Sequence, residues 1–442
     1  MSKERTTGRK DMQKTSTDDE RRAEKARGSG SSDKTTCSDD SRFFVAAGIV
    51  DGSGAALRRD VVVEVRHGLI AAIRTATRPP QGAMVEDFSH CLLLPAVIDA
   101  SVLLARSPSL GQHGDNAVPA EPGRRATLIE RHLSYCHGHG VLGLAVGDDP
   151  ALLPPDFAQR ATSRGLLEVR LSLPPCEDAG TTLARDSAKG FLRVFYSADI
   201  DDDRGAAGAW QPMDEAQRRA LLRNRGKRKV VAVANGEEAV AAALAEGCDA
   251  IEQGYFMGED NLRLMAAGGV LWIPSLVRAK NGLDGSGEGG DIACRFSQRY
   301  LAPGKAAPGA ADLWKKTLAE QMGRLALARS LGVRTALGSG AGNSGLLHGE
   351  ALVEEMKLFQ KAGYPLGEIF QAAAENAARF FAMERLGMLA PGRPATFLVT
   401  RGTAQQLPRK LYFLQAIVVD GRPCPVYRRD PVKVVARSRS GG

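Results

Sequence analysis

The sequence predicts an α/β fold built as a (β/α)8 barrel, and three observations support this. The chain has 442 residues, of which 43% are hydrophobic, so it can hold a barrel together with an accessory domain. Its central part alternates short apolar segments with amphipathic helical segments, the pattern of βαβ units. Eight such apolar segments follow one another, which is the number of strands that closes a barrel of this kind.

The two ends of the chain differ from its centre. Residues 1–42 are rich in Ser, Thr and charged residues and nearly lack large apolar side chains, which predicts a disordered polar tail. A partner-binding arm that folds on contact is the alternative. Residues 431–442 are predicted to form a short basic tail. Residues Phe43 to Val85 alternate with a period of two between Asp-Gly and His-Gly pairs, which indicates antiparallel strands joined by tight turns.

The eight predicted barrel strands follow in order along the chain. The first is the apolar run from Leu92 to Leu104, LLLPAVIDASVLL, interpreted as a single buried strand. The next seven are Gly140–Asp148, Leu167–Leu173, Phe191–Tyr196, Lys229–Gly236, Asp249–Gly254, Gly269–Leu276 and Arg334–Gly342. A long amphipathic helix is predicted from about Ala311 to Ser330, before the eighth strand.

Composition narrows the classes of function. The net charge is +8, but the basic clusters, such as Arg223 to Lys229, are not interleaved with aromatic residues. Nucleic-acid binding through the basic tails is therefore a weak alternative and is not expected. The chain has no bilayer-spanning apolar run and no signal-peptide pattern, so we expect no membrane association and a cytoplasmic location. The seven cysteines include no CxxC, which predicts reduced thiols.

Several separate motifs resemble the amidohydrolase superfamily, in its imidazolonepropionase-like and prolidase-like branch, over about Phe43 to Tyr427. LLLPAVIDASVLL is similar to that family's first barrel strand, and IVDGSG with DVVVEVRHGLIAAI to its small N-terminal β-domain. In the family the C-terminal end of the chain completes this domain, and LGMLAPGRPATFLV and LYFLQAIVVDGRPCPVY match the closing segment. The resemblance thus implies a composite small β-sandwich from residues 43–94 and 386–430, with the barrel at 95–385.

The resemblance also implies a metal site at the mouth of the barrel. Members of the superfamily use one or two divalent metals such as zinc, which lower the pKa of a bound water and polarise the carbonyl under attack. Their ligands are an HxH on strand one, often a carboxylated lysine on strand four, one histidine each on strands five and six, and an aspartate on strand eight. The six matching positions here hold Ser101, Leu103, Arg193, Val233, Gln253 and Gly340.

These six residues are poor ligands for a divalent cation. Leu103, Val233 and Gly340 offer no side-chain donor, while the oxygens of a serine hydroxyl and of an amide bind zinc weakly. Arg193 is permanently cationic, so it cannot be carboxylated and would repel a metal ion. We therefore expect no metal cofactor and none of the family's catalytic residues.

The remaining histidines do not supply a replacement site. His137 and His139 have HxH spacing, but they lie between a helix and a strand, at the N-terminal face of the barrel. A solvated helix end is the simpler interpretation there, and a metal site the alternative. His348 matches a histidine that the family retains near strand eight, and its expected role is to orient loops.

The most specific structural expectation concerns the partner of Arg193. Strand alternation places Asp99, Ser101 and Leu103 on one face, toward the barrel interior. A cation buried inside the barrel needs an anionic partner. We expect Arg193 either to pair with Asp99 or to capture the carboxylate or phosphate of a small anionic ligand. The alternative is a barrel mouth filled with side chains.

The sequence thus favours a catalytically degenerate amidohydrolase-like protein, a pseudoenzyme that serves as a scaffold, a regulatory protein or a small-molecule binder. A homo-oligomer, or a hetero-oligomer with an active relative, is expected from the resemblance alone. The enzyme alternative is a hydrolase that acts on C–N bonds of non-peptide or dipeptide amides through an altered metal site. The metal content of the protein distinguishes the pseudoenzyme hypothesis from the hydrolase hypothesis.

Overall fold

The structure is a computed structural model, and it describes residues 41–109, 118–173, 190–197, 213–286 and 310–427. Most of the predicted polar tail, residues 1–40, lies outside this range, as does the predicted basic tail at 431–442. Ser41 and Arg42, which were assigned to the polar tail, already belong to the first strand.

Within the described residues there are fourteen strands. They are β1 (Ser41–Ile49), β2 (Arg58–Arg66), β3 (Leu69–Thr75), β4 (Met84–Pro95), β5 (Val97–Val102), β6 (Val141–Val146), β7 (Glu168–Leu173), β8 (Phe191–Phe195), β9 (Lys229–Ala234), β10 (Ala250–Gln253), β11 (Leu271–Ile273), β12 (Phe397–Arg401), β13 (Leu414–Val419) and β14 (Arg422–Pro423).

The same residues form ten α-helices. They are α1 (Pro122–Gly138), α2 (Phe157–Ser163), α3 (Glu215–Arg223), α4 (Glu237–Ala245), α5 (Glu259–Gly268), α6 (Leu276–Ser286), α7 (Ala310–Leu331), α8 (Glu350–Lys361), α9 (Leu366–Phe370) and α10 (Ala377–Phe380). Helix α7 matches the long helix predicted before the eighth barrel strand. None of the described helices is both long and apolar enough to cross a bilayer.

A seven-stranded mixed sheet combines strands from both ends of the described chain, in the order β14-β13-β12-β4-β1-β2-β3. Strand β12 runs antiparallel to β4, with Phe397 opposite Pro95. The sheet encloses its own apolar cluster, in which the rings of Phe44 and Phe397 pack edge to face at 5.1 Å. The resemblance implied this composite construction, and the structure confirms it.

Seven parallel strands build the barrel, in the order β5-β6-β7-β8-β9-β10-β11. The predicted eighth strand, from Arg334 to Gly342, forms only isolated bridges rather than a ladder. It still lies between β11 and β5, because Trp272 donates to the Arg334 carbonyl (2.9 Å) and Ala100 to the Leu337 carbonyl (2.8 Å). Glycines with left-handed backbone angles interrupt its regular pairing, so the eighth strand closes the barrel without being a regular strand.

The apolar run from Leu92 to Leu104 is two strands, so its interpretation as one strand was wrong. Strand β4 ends at Pro95, which pairs with β12 of the mixed sheet. Strand β5 begins at Val97, which pairs with Val141 of the barrel. Residues on both sides of the break are buried, so the run is uniformly apolar and its hydrophobicity does not mark the change of sheet.

Candidate functional site

Three side chains from separate barrel strands meet at the carboxylate of Glu252, on β10. The Ser101 hydroxyl, on β5, donates to Glu252 Oε1 at 2.7 Å. Arg193, on β8, donates from Nε to Oε2 and from a terminal nitrogen to Oε1, each at 2.8 Å. The Arg193 and Glu252 side chains are only 7% and 3% exposed. Two of the six positions assigned to metal ligands are therefore joined in one buried network.

The Arg193–Glu252 pair is bidentate and charged. Burial by itself raises the pKa of Glu252, but the Arg193 guanidinium and the hydrogen bond from Ser101 lower it below its usual value. The positive charge of Arg278 also lowers the pKa of Glu252. The Arg193 guanidinium also lies 4.8 Å from the centre of the Phe195 ring. The geometry matches the fork-to-carboxylate pairing that arginine favours at buried sites.

The expected pairing of Arg193 with Asp99 was wrong. Asp99 instead accepts hydrogen bonds from the hydroxyl and the backbone N–H (2.9 Å) of Ser339, and from the backbone N–H of Ser101 (3.2 Å). It therefore ties β5 to the eighth segment of the barrel. Its complete burial and, to a smaller extent, the charge of Glu252 raise its pKa to about 7 in spite of these donors.

Gln253 and Val233, at the two positions of the family's single histidines, are fully buried. Gln253 has a left-handed backbone (φ 72°), and its amide oxygen accepts from Asn235 Nδ2 at 2.7 Å. Its main-chain carbonyl accepts from Trp272 Nε1 (2.9 Å) and Gln321 Nε2 (2.7 Å). The amide of Gln253 thus serves internal packing at the end of β10.

Gly340 and Gly147 lie where two arginine side chains need space. Gly340 has a φ of +62°, and a Cβ atom there would lie 3.0 Å from Cδ of Arg278. A Cβ atom on Gly147 would lie 3.3 Å from Arg193. Arg278 is 3% exposed and belongs to the first turn of α6, directly after β11. The stem of Arg278 therefore passes beside the position that holds the family's aspartate.

The main-chain carbonyl of Leu103 accepts a hydrogen bond from one of two stacked histidines. His348 Nε2 donates to the Leu103 carbonyl at 2.9 Å, and His132 Nδ1 to the Leu104 carbonyl at 2.8 Å. The two imidazole rings are nearly parallel, with their centres 3.6 Å apart. Burial lowers the pKa of His132 to about 4 and that of His348 well below its usual value, so both rings are neutral. This contact is compatible with the positioning role expected for His348.

His137 and His139 are both buried, so their interpretation as a solvated helix end was wrong. His139 Nδ1 contacts the Tyr135 carbonyl at 2.8 Å, and its ring packs edge-on against Tyr412 at 5.7 Å. His137 Nε2 lies 3.6 Å from the Cys424 sulfur. Residues from the C-terminal part of the chain therefore cover the end of α1. The sequence did not indicate this cover, because it comes from residues almost 300 positions away.

The donor atoms at the six positions do not fit the divalent metal that the resemblance implies. The Ser101 hydroxyl donates to Glu252, and the amide oxygen of Gln253 is bonded to Asn235. The guanidinium of Arg193 brings a positive charge that opposes a cation. In the part of the chain that the structure describes, no group of three or more His, Cys, Asp or Glu side chains could hold a metal ion.

Three charged residues at the mouth were missed from the sequence: Glu252, Arg278 and Asp148. Each lies at or just after the carboxyl end of a barrel strand, a position that signals function in such barrels and could have identified them. Asp148 accepts from the backbone N–H groups of Leu104 and Ala105 (3.1 Å to Ala105). Burial raises its pKa to about 6.

Comparison with known proteins points to one family. The model of the amidohydrolase family matches residues 202–428. An Xaa-Pro dipeptidase with bound methionine is a similar solved structure, with 16% identity and a TM-score of 0.68, covering 87% of this chain and 99% of that one. The ochratoxinase of A. niger is 13% identical, with a TM-score of 0.69 and coverages of 87% and 95%.

A molinate hydrolase is also similar in structure, at 13% identity and a TM-score of 0.64, with coverages of 88% and 95%. At such low identities these likenesses show a shared fold. No curated protein matches the chain.

Proposed function

The chain belongs to the amidohydrolase family, and from that premise we propose that it is a catalytically degenerate member without a metal centre. In this proposal it acts as a scaffold, a regulatory protein or a small-molecule binder. It assembles with copies of itself or with an active relative. The hydrolase fold is common to this chain and its structural neighbours, whereas the loss of the reaction is the new element.

One observation carries the proposal: the Arg193–Glu252 ion pair, with the Ser101 hydroxyl bonded to the same carboxylate. A metal centre of the family type needs neutral imidazoles and free anionic oxygens around a dication. This network instead places a fixed monocation at the position of a ligand and occupies both oxygens of Glu252. Buried charge is thus balanced inside the protein without a metal ion.

The enzyme alternative is supported by the names of the similar structures: a dipeptidase, an ochratoxinase and a molinate hydrolase. Under this alternative the chain hydrolyses a C–N bond of a non-peptide or dipeptide amide. It would have to hold its metal with side chains other than those at the six family positions. The family membership supports amide hydrolysis as the class of reaction. The donor atoms described above favour the proposal of a degenerate member without a metal centre.

Metal content tests the proposal directly. The full chain is expressed in medium supplemented with zinc, manganese and iron, dialysed against metal-free buffer, and measured by mass spectrometry of the elements. We expect far less than one ion per chain, and no hydrolysis of a panel of dipeptides and N-acyl amino acids. About one or more tightly bound ions per chain, lost together with hydrolysis on chelation, would establish the enzyme alternative instead.

A further inference from the structure

A loop rich in basic side chains joins α3 to β9 at the N-terminal face of the barrel. Helix α3 ends at Arg223 and β9 begins at Lys229, so this basic loop (residues 223–229) leads into a barrel strand. Such connections lie at the end of the barrel opposite the carboxyl ends of its strands. The basic loop is therefore remote from Val233 and Gln253, which lie near the carboxyl ends of β9 and β10. It contains five basic residues: Arg223, Arg225, Lys227, Arg228 and Lys229.

A single carboxylate balances two of these five charges. Asp249 accepts from Lys229 at 2.8 Å through one oxygen and from Arg225 at 3.3 Å through the other. Three cations of the loop form no ion pair with any residue that the structure describes: Arg223 and Lys227, which are exposed, and Arg228, which is half-buried. The basic loop thus presents positive charge to solvent without an internal counter-charge.

Hydrogen bonds fix the path of the basic loop. Arg228 donates through Nε to the Arg225 carbonyl and through a terminal nitrogen to the Asn224 carbonyl, each at 2.9 Å. Arg225 in turn donates to the Gly247 carbonyl at 2.8 Å, which ties the loop to the turn before β10. The backbone that carries the cations is therefore already ordered, so a partner that binds there loses little affinity to the ordering of the loop.

We propose that the basic loop is a docking surface for an acidic segment of a partner protein, in which several carboxylates lie close together. Guanidinium groups suit this role because their parallel N–H donors match the two oxygens of a carboxylate. The inference goes beyond the proposed function, because it concerns the opposite face of the barrel and names the kind of partner that a scaffold or regulatory protein would hold there.

The size and composition of the basic loop favour an acidic protein segment over nucleic acid or a membrane. A protein that binds duplex DNA typically contacts about 6–10 phosphates, whereas three cations of this loop lack a carboxylate partner. Residues 223–229 include no aromatic side chain on which a base could stack. They also include no large apolar side chain that could enter a bilayer. A short cluster of carboxylates needs neither feature.

An acetylated and amidated hexapeptide of alternating Glu and Asp is a suitable probe, and the same peptide made of Gln and Asn is its neutral control. Each carries a fluorescent label and is titrated with the full chain over a series of chloride concentrations, with anisotropy as the readout. We expect the acidic peptide alone to bind, with an affinity that falls as chloride rises, because exposed charges are screened. Failure of the acidic peptide to bind at low ionic strength would overturn the proposal.

Two double variants locate the binding. Arg223→Gln with Lys227→Gln removes two free cations of the basic loop and is expected to weaken binding of the acidic peptide by about fivefold or more. Arg78→Gln with Lys361→Gln is the matched control, because it removes the same charge at two exposed residues that form no ion pair with described residues. It is expected to weaken binding by less than about twofold. Equal losses in the two double variants would show that net charge governs binding, and the docking surface would be wrong.

A short DNA duplex tests the competing class of partner. We expect the loop double variant to leave its binding to the duplex nearly unchanged. If the wild-type chain bound the duplex more tightly than the acidic peptide, and the loop double variant lost this binding, the partner would be a nucleic acid and the proposal would fail. The metal content of the protein concerns the other end of the barrel. A tightly bound ion with hydrolysis would therefore overturn the proposed function, whatever the acidic peptide does.

Discussion

Two ion pairs in this molecule share one geometry and differ in their surroundings. Arg193 and Glu252 form a bidentate pair inside the barrel, with exposures of 7% and 3%. Arg329 and Glu368 form the same two-bond arrangement, at 2.6 and 2.8 Å, on the surface between α7 and α9. There the side chains are 43% and 30% exposed. The comparison separates what pairing contributes from what burial contributes.

The physical difference lies in what remains when one partner is removed. At the surface, water solvates the remaining charge, so such pairs contribute about 0–1 kcal/mol. Inside the barrel the remaining charge has little water around it, and breaking such a pair costs about 3–5 kcal/mol. The buried pair is therefore a strong constraint on which residues these positions of the barrel can hold.

The largest effect is expected from Arg193→Met. This change leaves the Glu252 carboxylate buried beside Ser101 without its main partner, so the free energy of unfolding should fall by about 3–5 kcal/mol. Urea unfolding followed by circular dichroism measures it. The double variant Arg193→Met with Glu252→Leu should recover a large part of the loss, since it removes both charges. A loss below about 1 kcal/mol in the single variant would show that the buried pair behaves like a surface pair.

A second effect concerns the space beside Arg278. Gly340→Ala places a Cβ atom 3.0 Å from Arg278 Cδ at a φ of +62°, and it should destabilise the fold by about 2–4 kcal/mol. Gly363→Ala is the matched control, because Gly363 has a φ of +91° and no atom within 4 Å of the added Cβ. The control carries backbone strain alone and should cost about 1–2 kcal/mol. Equal losses in the two variants would mean that Arg278 moves aside freely.

Stability should also fall as the pH rises from about 6.5 to 8. The pKa of Asp99 is raised to about 7 and that of Glu355 to about 8, so the folded protein holds protons that the unfolded chain has already released. Raised carboxyl pKa values stabilise the fold fully below the unfolded pKa of about 4, and this contribution is lost as pH rises from there to the raised values. Above about pH 6.5 the histidines no longer oppose this loss. We expect a loss of roughly 2–3 kcal/mol over this window.

The buried histidines affect the stability of the fold at lower pH. Burial lowers the pKa of His132 and His137 to about 4, so their effect is a loss of stability as pH falls below about 6.5. Urea unfolding at a series of pH values separates the two ranges. Glu355→Gln cannot titrate and should flatten the slope between pH 6.5 and 8. An unchanged slope in this variant would rule out Glu355 as its source.

The smallest effect is expected from Arg329→Met, the surface counterpart of Arg193→Met. Removal of Arg329 leaves Glu368 in contact with water, so the free energy of unfolding should change by about 1 kcal/mol or less. Added salt should reduce even this difference, because exposed charges are screened. If the two arginine variants lost similar stability, burial would not be the deciding factor.

Much of the fold could be predicted from the sequence because its signals are local. Alternating apolar and amphipathic segments identified seven regular barrel strands and the long helix α7. The eighth segment, Arg334–Gly342, was predicted as a strand from the same pattern, but its glycines interrupt the pairing and leave only isolated bridges. The break at Pro95 was missed because both flanking strands are buried and apolar.

The candidate site could be predicted only in part. Comparison with the family motifs identified the changed positions, including Ser101 and Arg193, and correctly required a buried anionic partner for the arginine. It named Asp99 as that partner, whereas the structure has Glu252. The cover over His137 and His139 was missed for a similar reason, since contacts between distant segments leave no periodic signal in the chain.

The sequence by itself determined which side chains stand at the six family positions, and their donor chemistry is the basis for expecting no metal there, because the chemistry of a side chain belongs to the residue and not to the fold. It also determined the strand and helix pattern, because hydrophobic periodicity is read from neighbouring positions. Only the tertiary structure decided which charges meet. Ser101, Arg193 and Glu252 lie on three different strands, up to 151 positions apart, and barrel closure brings them to one carboxylate. Their partnership depends on the register and tilt of the strands, which are properties of the assembled barrel.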